Sequence, residues 1–102
     1  GLNANERHVF LLNNLGQCLT RNKKVTEAIV ILESARDMAE KRAENDERNV
    51  CKARVYASLA IAYDSMENNI DAVNYAMKAL QFEEAIFQKV LEKLRKIASN
   101  NV

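Results

Sequence analysis

Few residues in this 102-residue chain have side chains that could carry out chemistry. His8 is the only histidine, and the two cysteines, Cys18 and Cys51, lie far apart and outside any CxxC pair. A metal site needs three or four such ligands, and a nucleophile needs a base held beside it. Glu83 and Glu84 are adjacent, so on a helix their side chains diverge by about 100° and cannot act as a facing pair. We therefore predict no enzyme activity, no cofactor and no metal.

Composition narrows the class of protein further. Proline is absent and glycine occurs twice, which favours helices over β-hairpins, and 48% apolar residues suffice for one packed domain. The net charge of only +1 argues against a nucleic-acid-binding module. No apolar run approaches the roughly 20 residues that span a bilayer. The two cysteines are expected to be reduced, partly buried thiols, so we predict a cytoplasmic protein.

Apolar residues recur at steps of three and four in four segments, which predicts four helices. The first covers residues 5–21. The second begins after Thr26, a candidate N-cap, and continues past Lys41 towards a turn at Asn45 and Asp46. The third covers 49–66 and the fourth covers 70–99.

The fourth predicted helix has two open questions. A kink at Glu83 and Glu84 is the alternative to one continuous helix, which we favour. Its end carries four basic residues and could lie on an anionic membrane, but Glu92 interrupts the basic face, so a helix that caps the domain is preferred. The basic residues are Lys89, Lys93, Arg95 and Lys96.

A repeat organises the chain. Leu15-Gly16, Ala28 and Ala35 recur 44 residues later as Leu59-Ala60, Ala72 and Ala79. Small residues at such positions allow helices to approach closely. A glycine inside a helix costs about 1 kcal/mol relative to alanine. Gly16 therefore predicts close contact with a neighbouring helix.

These residues resemble the tetratricopeptide repeat, whose pattern places a large residue, Leu-Gly and an aromatic on one helix and two alanines on the next. The first copy reads Leu12, Leu15, Gly16, Leu19, Ala28, Leu32, Ala35, and the second Tyr56, Leu59, Ala60, Tyr63, Ala72, Ala76, Ala79. The resemblance implies an all-α solenoid of two antiparallel helical hairpins followed by a long C-terminal helix. We expect one domain over 1–102, with repeats at about 8–44 and 50–84 and a helical extension over 85–99, as part of a longer protein.

The spacing of 44 residues exceeds the period of about 34 of the common repeat, and its terminal proline is missing. The extra residues are expected to lengthen the second helix and its turn. Together with the string LLNNLG, these features resemble the kinesin-light-chain type of the family. In that type, asparagine beside the Leu-Gly pair can bond a peptide backbone, which implicates Asn13. Ala57 and Ser58 replace it in the second copy.

The resemblance also implies that the first helix of each repeat lines a concave, partner-binding face. The residues that correspond to this face are Phe10, Asn13, Gln17, Thr20, Arg21, Arg54, Ala57, Ile61 and Asp64. The Lys/Asn pairing by which some members clamp a terminal carboxylate is missing, so that ligand is not predicted.

The expected function is a protein–protein interaction module that binds a peptide or helix of a partner and acts as a scaffold or adaptor. A purely structural domain that self-associates through exposed helix ends is one alternative. A peptide-sensing regulator is another. Nucleic acid and membrane are not expected partners.

Overall fold

A computed structural model describes residues 4–41 and 50–100. Within them lie α1 (Ala4–Arg21), α2 (Val25–Glu40), α3 (Val50–Ser65) and α4 (Asn69–Asn100). Helices α1 and α2 pack as one hairpin, α3 and α4 pack as a second, and α3 also contacts both helices of the first. The predicted all-α solenoid of two helical hairpins with a long last helix is confirmed. Helix α4 runs 32 residues without a break at Glu83 and Glu84, as favoured.

Both predicted ends of α2 are wrong. Lys24, not Thr26, is the N-cap, and it makes no side-chain capping bond. The predicted continuation past Lys41 fails because Ala39 is the last buried residue of α2, and a helix in a protein is held mainly by burial of one face. The 44-residue spacing thus does not lengthen α2, and the predicted turn at Asn45 and Asp46 lies outside the described residues.

The two hairpin turns share one backbone geometry. Lys23 and Glu67, 44 residues apart, both have left-handed φ values, 64° and 62°. In each turn the next amide bonds a carbonyl five residues back, at 2.9 Å to Leu19 and 3.0 Å to Tyr63. This reversal places the Lys24 carbonyl 3.0 Å from the amide nitrogen of Ala28, which starts α2 before Thr26. The repeat therefore extends to turns whose residue types differ.

The hydrophobic core lies where α3 packs onto the first hairpin. Leu32, Val55 and Leu59 are its largest fully buried side chains, each worth about 1.5–3 kcal/mol relative to an exposed position. Small residues on α2 and α3 let the helices approach, as the repeat predicted. The cluster comprises Val9, Leu32, Ala35, Ala39, Val55, Leu59 and Ala62.

Gly16 is required by the side chain of Leu32. A methyl group added at Gly16 would overlap Cγ and Cδ2 of Leu32, which is fully buried and cannot turn out to solvent. The predicted close contact at Gly16 is therefore confirmed. The second copy has Ala60 and Ala76 at these two positions, so a glycine–leucine pair is replaced by two alanines.

Gly16→Ala is expected to lower the free energy of unfolding by about 1 kcal/mol, because the overlap with Leu32 outweighs the gain in helix propensity. In a Leu32→Ala background the same change should raise stability by about 1 kcal/mol, because the overlap is gone. Urea denaturation of the four proteins measures both effects. If Gly16→Ala changed the free energy of unfolding in the same direction in both backgrounds, the predicted overlap with Leu32 would be contradicted.

Lys23→Gly and Glu67→Gly are each expected to stabilise the protein by about 0.5–1 kcal/mol, since glycine adopts a left-handed φ without a steric cost. Lys24→Gly is the control, because Lys24 has a φ of −94° and glycine there only adds freedom to the unfolded chain. Thermal unfolding compares the three variants. Destabilisation by Lys23→Gly equal to that by Lys24→Gly would refute the strain argument.

Candidate protein-binding site

The residues predicted to bind a partner lie on one face of α1 and the equivalent face of α3, called here the α1–α3 face. These two helices contact each other directly. Six of the nine side chains are exposed, Gln17 and Thr20 are half-buried, and Asn13 is buried. The exposed ones are Phe10, Arg21, Arg54, Ala57, Ile61 and Asp64.

A depression opens on the α1–α3 face between the two helices. Its volume is about 240 Å³, room for several water molecules or a side chain of a ligand. Four of the predicted residues meet here: Gln17, Thr20 and Arg21 from α1, with Ile61 from α3. Ser58 completes the lining.

Asn13 does not face this surface as expected. Only 4% of it is exposed, and its Oδ1 atom accepts a hydrogen bond of 2.7 Å from the Ser58 hydroxyl. The reason is packing: Asn13 lies where α3 crosses α1, and a buried amide needs a protein partner. A peptide could reach Asn13 only if this contact opened.

Ser58 is the residue that sequence reasoning missed as part of the site. Its hydroxyl donates to Asn13 and accepts a bond of 3.0 Å from Nε2 of Gln17. The resulting chain of polar groups joins α1 to α3 under the depression. The sequence does indicate a role for Ser58. It is a small polar residue within an apolar stripe of a helix, 44 residues after Asn14, and such a residue needs a hydrogen-bond partner when it is buried.

The α1–α3 face carries three charged side chains, Arg21, Arg54 and Asp64. Within residues 4–41 and 50–100, Arg21, Arg54 and Asp64 form no ion pair. All three are exposed, so water solvates them in the free protein. They can pair with a ligand's opposite charges and thereby favour one orientation of it.

Three tyrosines hold the second hairpin against α2. Tyr56 donates to Glu40 over 2.8 Å, Tyr63 donates to Glu33 over 2.8 Å, and Tyr75 accepts from Nη1 of Arg36 over 2.6 Å. The rings of Tyr63 and Tyr75 are stacked, with centroids 5.8 Å apart. Lys78 lies over two of the rings, 5.6 Å from Tyr56 and 5.3 Å from Tyr75. These contacts fix α3 and α4 relative to α2, and so fix one wall of the depression.

Burial and hydrogen bonding shift the acidity of these groups. Burial first, and then the bond to Glu33, raise the pKa of Tyr63 from 10 to about 12. The pKa of Tyr56 is raised for the same two reasons, with Glu40 as the acceptor. Burial opposes the charged form of Arg36, yet hydrogen bonds to Tyr75 and Asp37 raise its pKa overall.

The described part of the chain brings together no reactive constellation. It holds no group of three potential metal-binding side chains. His8 is exposed. The Cys18 thiol is free, and it is exposed rather than partly buried as predicted. Its equivalent 44 residues later, Ala62, is buried because the first hairpin covers it, whereas no described segment covers Cys18. The side chains of Cys51, Glu83 and Glu84 lie outside the described residues. Among the helices described, none is both long enough and apolar enough to span a bilayer.

Comparison with known families finds a match that covers most of the chain. The sequence profile of the family described as "Tetratricopeptide repeat" matches residues 9–85. Comparison with curated proteins and with solved structures finds no significant match. The matched residues include every position of the α1–α3 face defined above.

Tyr63→Phe is expected to lower the free energy of unfolding by about 1 kcal/mol at pH 7, because it removes the bond to Glu33. The pKa of Tyr63 is raised on folding, so its contribution is complete below pH 10 and is lost as the pH rises through about 12. Urea denaturation at several pH values should therefore show the two proteins converge between pH 10 and 12. A difference that does not change with pH would contradict this assignment.

Proposed function

The chain belongs to the tetratricopeptide repeat family, and on that premise we propose that it binds a peptide or helix of a partner protein on the α1–α3 face. Repeats of this family generally mediate protein–protein interaction and are not an enzymatic module. A scaffold or adaptor role follows if the partner is one component of a larger assembly.

The depression between α1 and α3 is the observation that carries this proposal. It is open, it combines the apolar surface of Ile61 with the polar groups of Gln17 and Ser58, and two helices held by a buried bond network form its walls. Such a preformed surface binds without the cost of ordering flexible segments.

The chemistry of this face suits a short extended segment or one face of a helix. The depression has room for one side chain of that segment, packed on Ile61. The exposed guanidinium groups of Arg21 and Arg54 favour acidic side chains or backbone carbonyls beside it. Asp64 favours a basic group in the same ligand.

Two narrower statements belong to the same proposal. The kinesin-light-chain-like subtype is supported by the 44-residue spacing and the lack of proline. A cytoplasmic location is supported by the free thiol of Cys18, since free thiols persist in reducing compartments.

Ile61→Lys is expected to weaken peptide binding at least tenfold, because it puts a charge where an apolar side chain should dock. The probe is a peptide selected from a random display library on the immobilised wild-type chain, and fluorescence anisotropy measures its affinity. Val30→Lys is the matched control, since Val30 on α2 is 61% exposed and Ile61 is 62% exposed. Equal loss in both variants, no loss in Ile61→Lys, or a library that yields no binder would overturn the proposal.

Self-association is a second candidate function, and a separate observation favours it. Large apolar side chains are exposed at both ends of the stack, including Leu11 and Leu15 on α1 and Met77 and Leu80 on α4.

A further inference from the structure

Equivalent positions of the two repeats differ in how much of the side chain is exposed. Val55 and Leu59 of α3 are fully buried against the first hairpin. Their equivalents 44 residues earlier, Leu11 and Leu15, are 64% and 47% exposed. The first copy thus has the same apolar surface that the second copy buries, with no described segment on it. We call this the front face (Leu11, Leu15, Leu19, Val30, Ile31).

The opposite end of the stack has the complementary surface. Helix α4 exposes a stripe of apolar residues spaced three and four apart, which we call the α4 stripe: Ile70, Val73, Met77 and Leu80. Three of the four equivalent positions on α2 receive the second hairpin, and the fourth, Thr26, is exposed. Ile29 there packs on the core, and Glu33 and Arg36 bond tyrosines.

We propose that a second copy of this chain docks head to tail, with its front face on the α4 stripe. Within the chain, the second hairpin packs on the first. In the proposed arrangement, the first hairpin of one copy packs in the same way on the second hairpin of another. Such docking is one form of the self-association named above. It shares Ile61 and Asp64 with the α1–α3 face, because both also line the depression between α3 and α4.

The contacts inside the chain define which residues meet between copies. Within the chain, Tyr63 bonds Glu33. Between copies, the position 44 residues before Tyr63 is Leu19 and the position 44 residues after Glu33 is Met77, so Leu19 would meet Met77. Tyr75 bonds Arg36, and this pair becomes Ile31 against Leu80. In each of these two pairs, both polar residues are replaced by apolar ones. At these two pairs apolar residues meet apolar residues, so neither pair leaves a buried charge without a partner. The third pair, Tyr56 with Glu40, becomes Leu12 against Glu84, where the repeat correspondence ends.

The shapes of the two ends agree with this register. A cleft of about 490 Å³ on the front face lies between α1 and α2 and is lined by Leu15, Leu19, Glu27, Val30 and Ile31. It lies where Met77 and Leu80 of the other copy would insert. On the opposite end, a depression of about 310 Å³ between α3 and α4 is lined by three alanines, two larger apolar residues and one carboxylate: Ala60, Ala72, Ala76, Ile61, Val73 and Asp64. The three alanines leave room for Leu15 of the other copy, whose equivalent Leu59 packs on the first hairpin within the chain.

Charge and symmetry fix the kind of assembly. The net charge of +1 gives little repulsion between copies. Because the two docking surfaces differ, the contact is heterologous and adds copies in a row rather than closing a dimer. The repeat correspondence ends near residue 84, so the last part of α4 lies beyond the contact.

Sedimentation velocity from micromolar to millimolar concentration tests this docking. The wild-type chain should grow in mass with concentration. Leu15→Asp, which damages the front face, and Leu80→Asp, which damages the α4 stripe, should each stay monomeric where the wild type associates. A one-to-one mixture of the two variants should form a dimer and nothing larger, because each still has one intact surface. Met66→Asp, at an exposed position outside both surfaces, should associate as wild type does.

Three outcomes would overturn the docking: a wild-type chain that is monomeric at millimolar concentration, variants that still associate alone, or a mixture that stays monomeric. Circular dichroism confirms that each variant is folded. A register test is also available, since Leu80→Arg with Ile31→Tyr rebuilds the Arg36–Tyr75 pair between copies. The double variant should associate at least tenfold more tightly than Leu80→Arg alone. Both Asp variants should still bind the selected peptide, so failure of one proposal is separable from failure of the other.

Discussion

The packing of α3 onto the first hairpin is the contact on which the rest of the structure depends. Val55 and Leu59 lose all contact with water there, and Leu32 of α2 is their fully buried counterpart. An isolated helical hairpin of this length would bury too little apolar surface to persist. The same contact places α1 beside α3, and so creates both the depression and the buried bond between Asn13 and Ser58.

The two repeats keep one backbone plan but use different chemistry on it. Gly16 and Leu32 of the first repeat correspond to Ala60 and Ala76 of the second. A pair with one large side chain and none opposite it is thus replaced by two small side chains. The junction between hairpins uses tyrosines paired with charged groups, whereas the front face and the α4 stripe are apolar. Polar pairs select one register, because a slipped pair leaves a buried group unsatisfied. Stability and specificity thus reside in different parts of the junction.

The helices and their pairing were predictable because periodicity and the 44-residue repeat report burial, which decides helix packing. The start of α2 was not, since Thr26 looks like a cap, whereas the backbone reversal at Lys23 sets the start. The exposure of most side chains on the α1–α3 face was also predictable from the repeat, whereas their role in binding stays a prediction. Asn13 was misplaced, because a position near the edge of a helical stripe can face solvent or a neighbour. Only the partner residue, here Ser58, decides between them.

We propose that the α1–α3 face is where the chain recognises another protein. Titration of the labelled chain with a display-selected peptide, followed by nuclear magnetic resonance, tests it residue by residue. We predict that the largest chemical-shift changes cluster around the depression, on Gln17, Thr20, Ser58 and Ile61. Changes centred instead on the α4 stripe or the front face, with the depression unaffected, would contradict it.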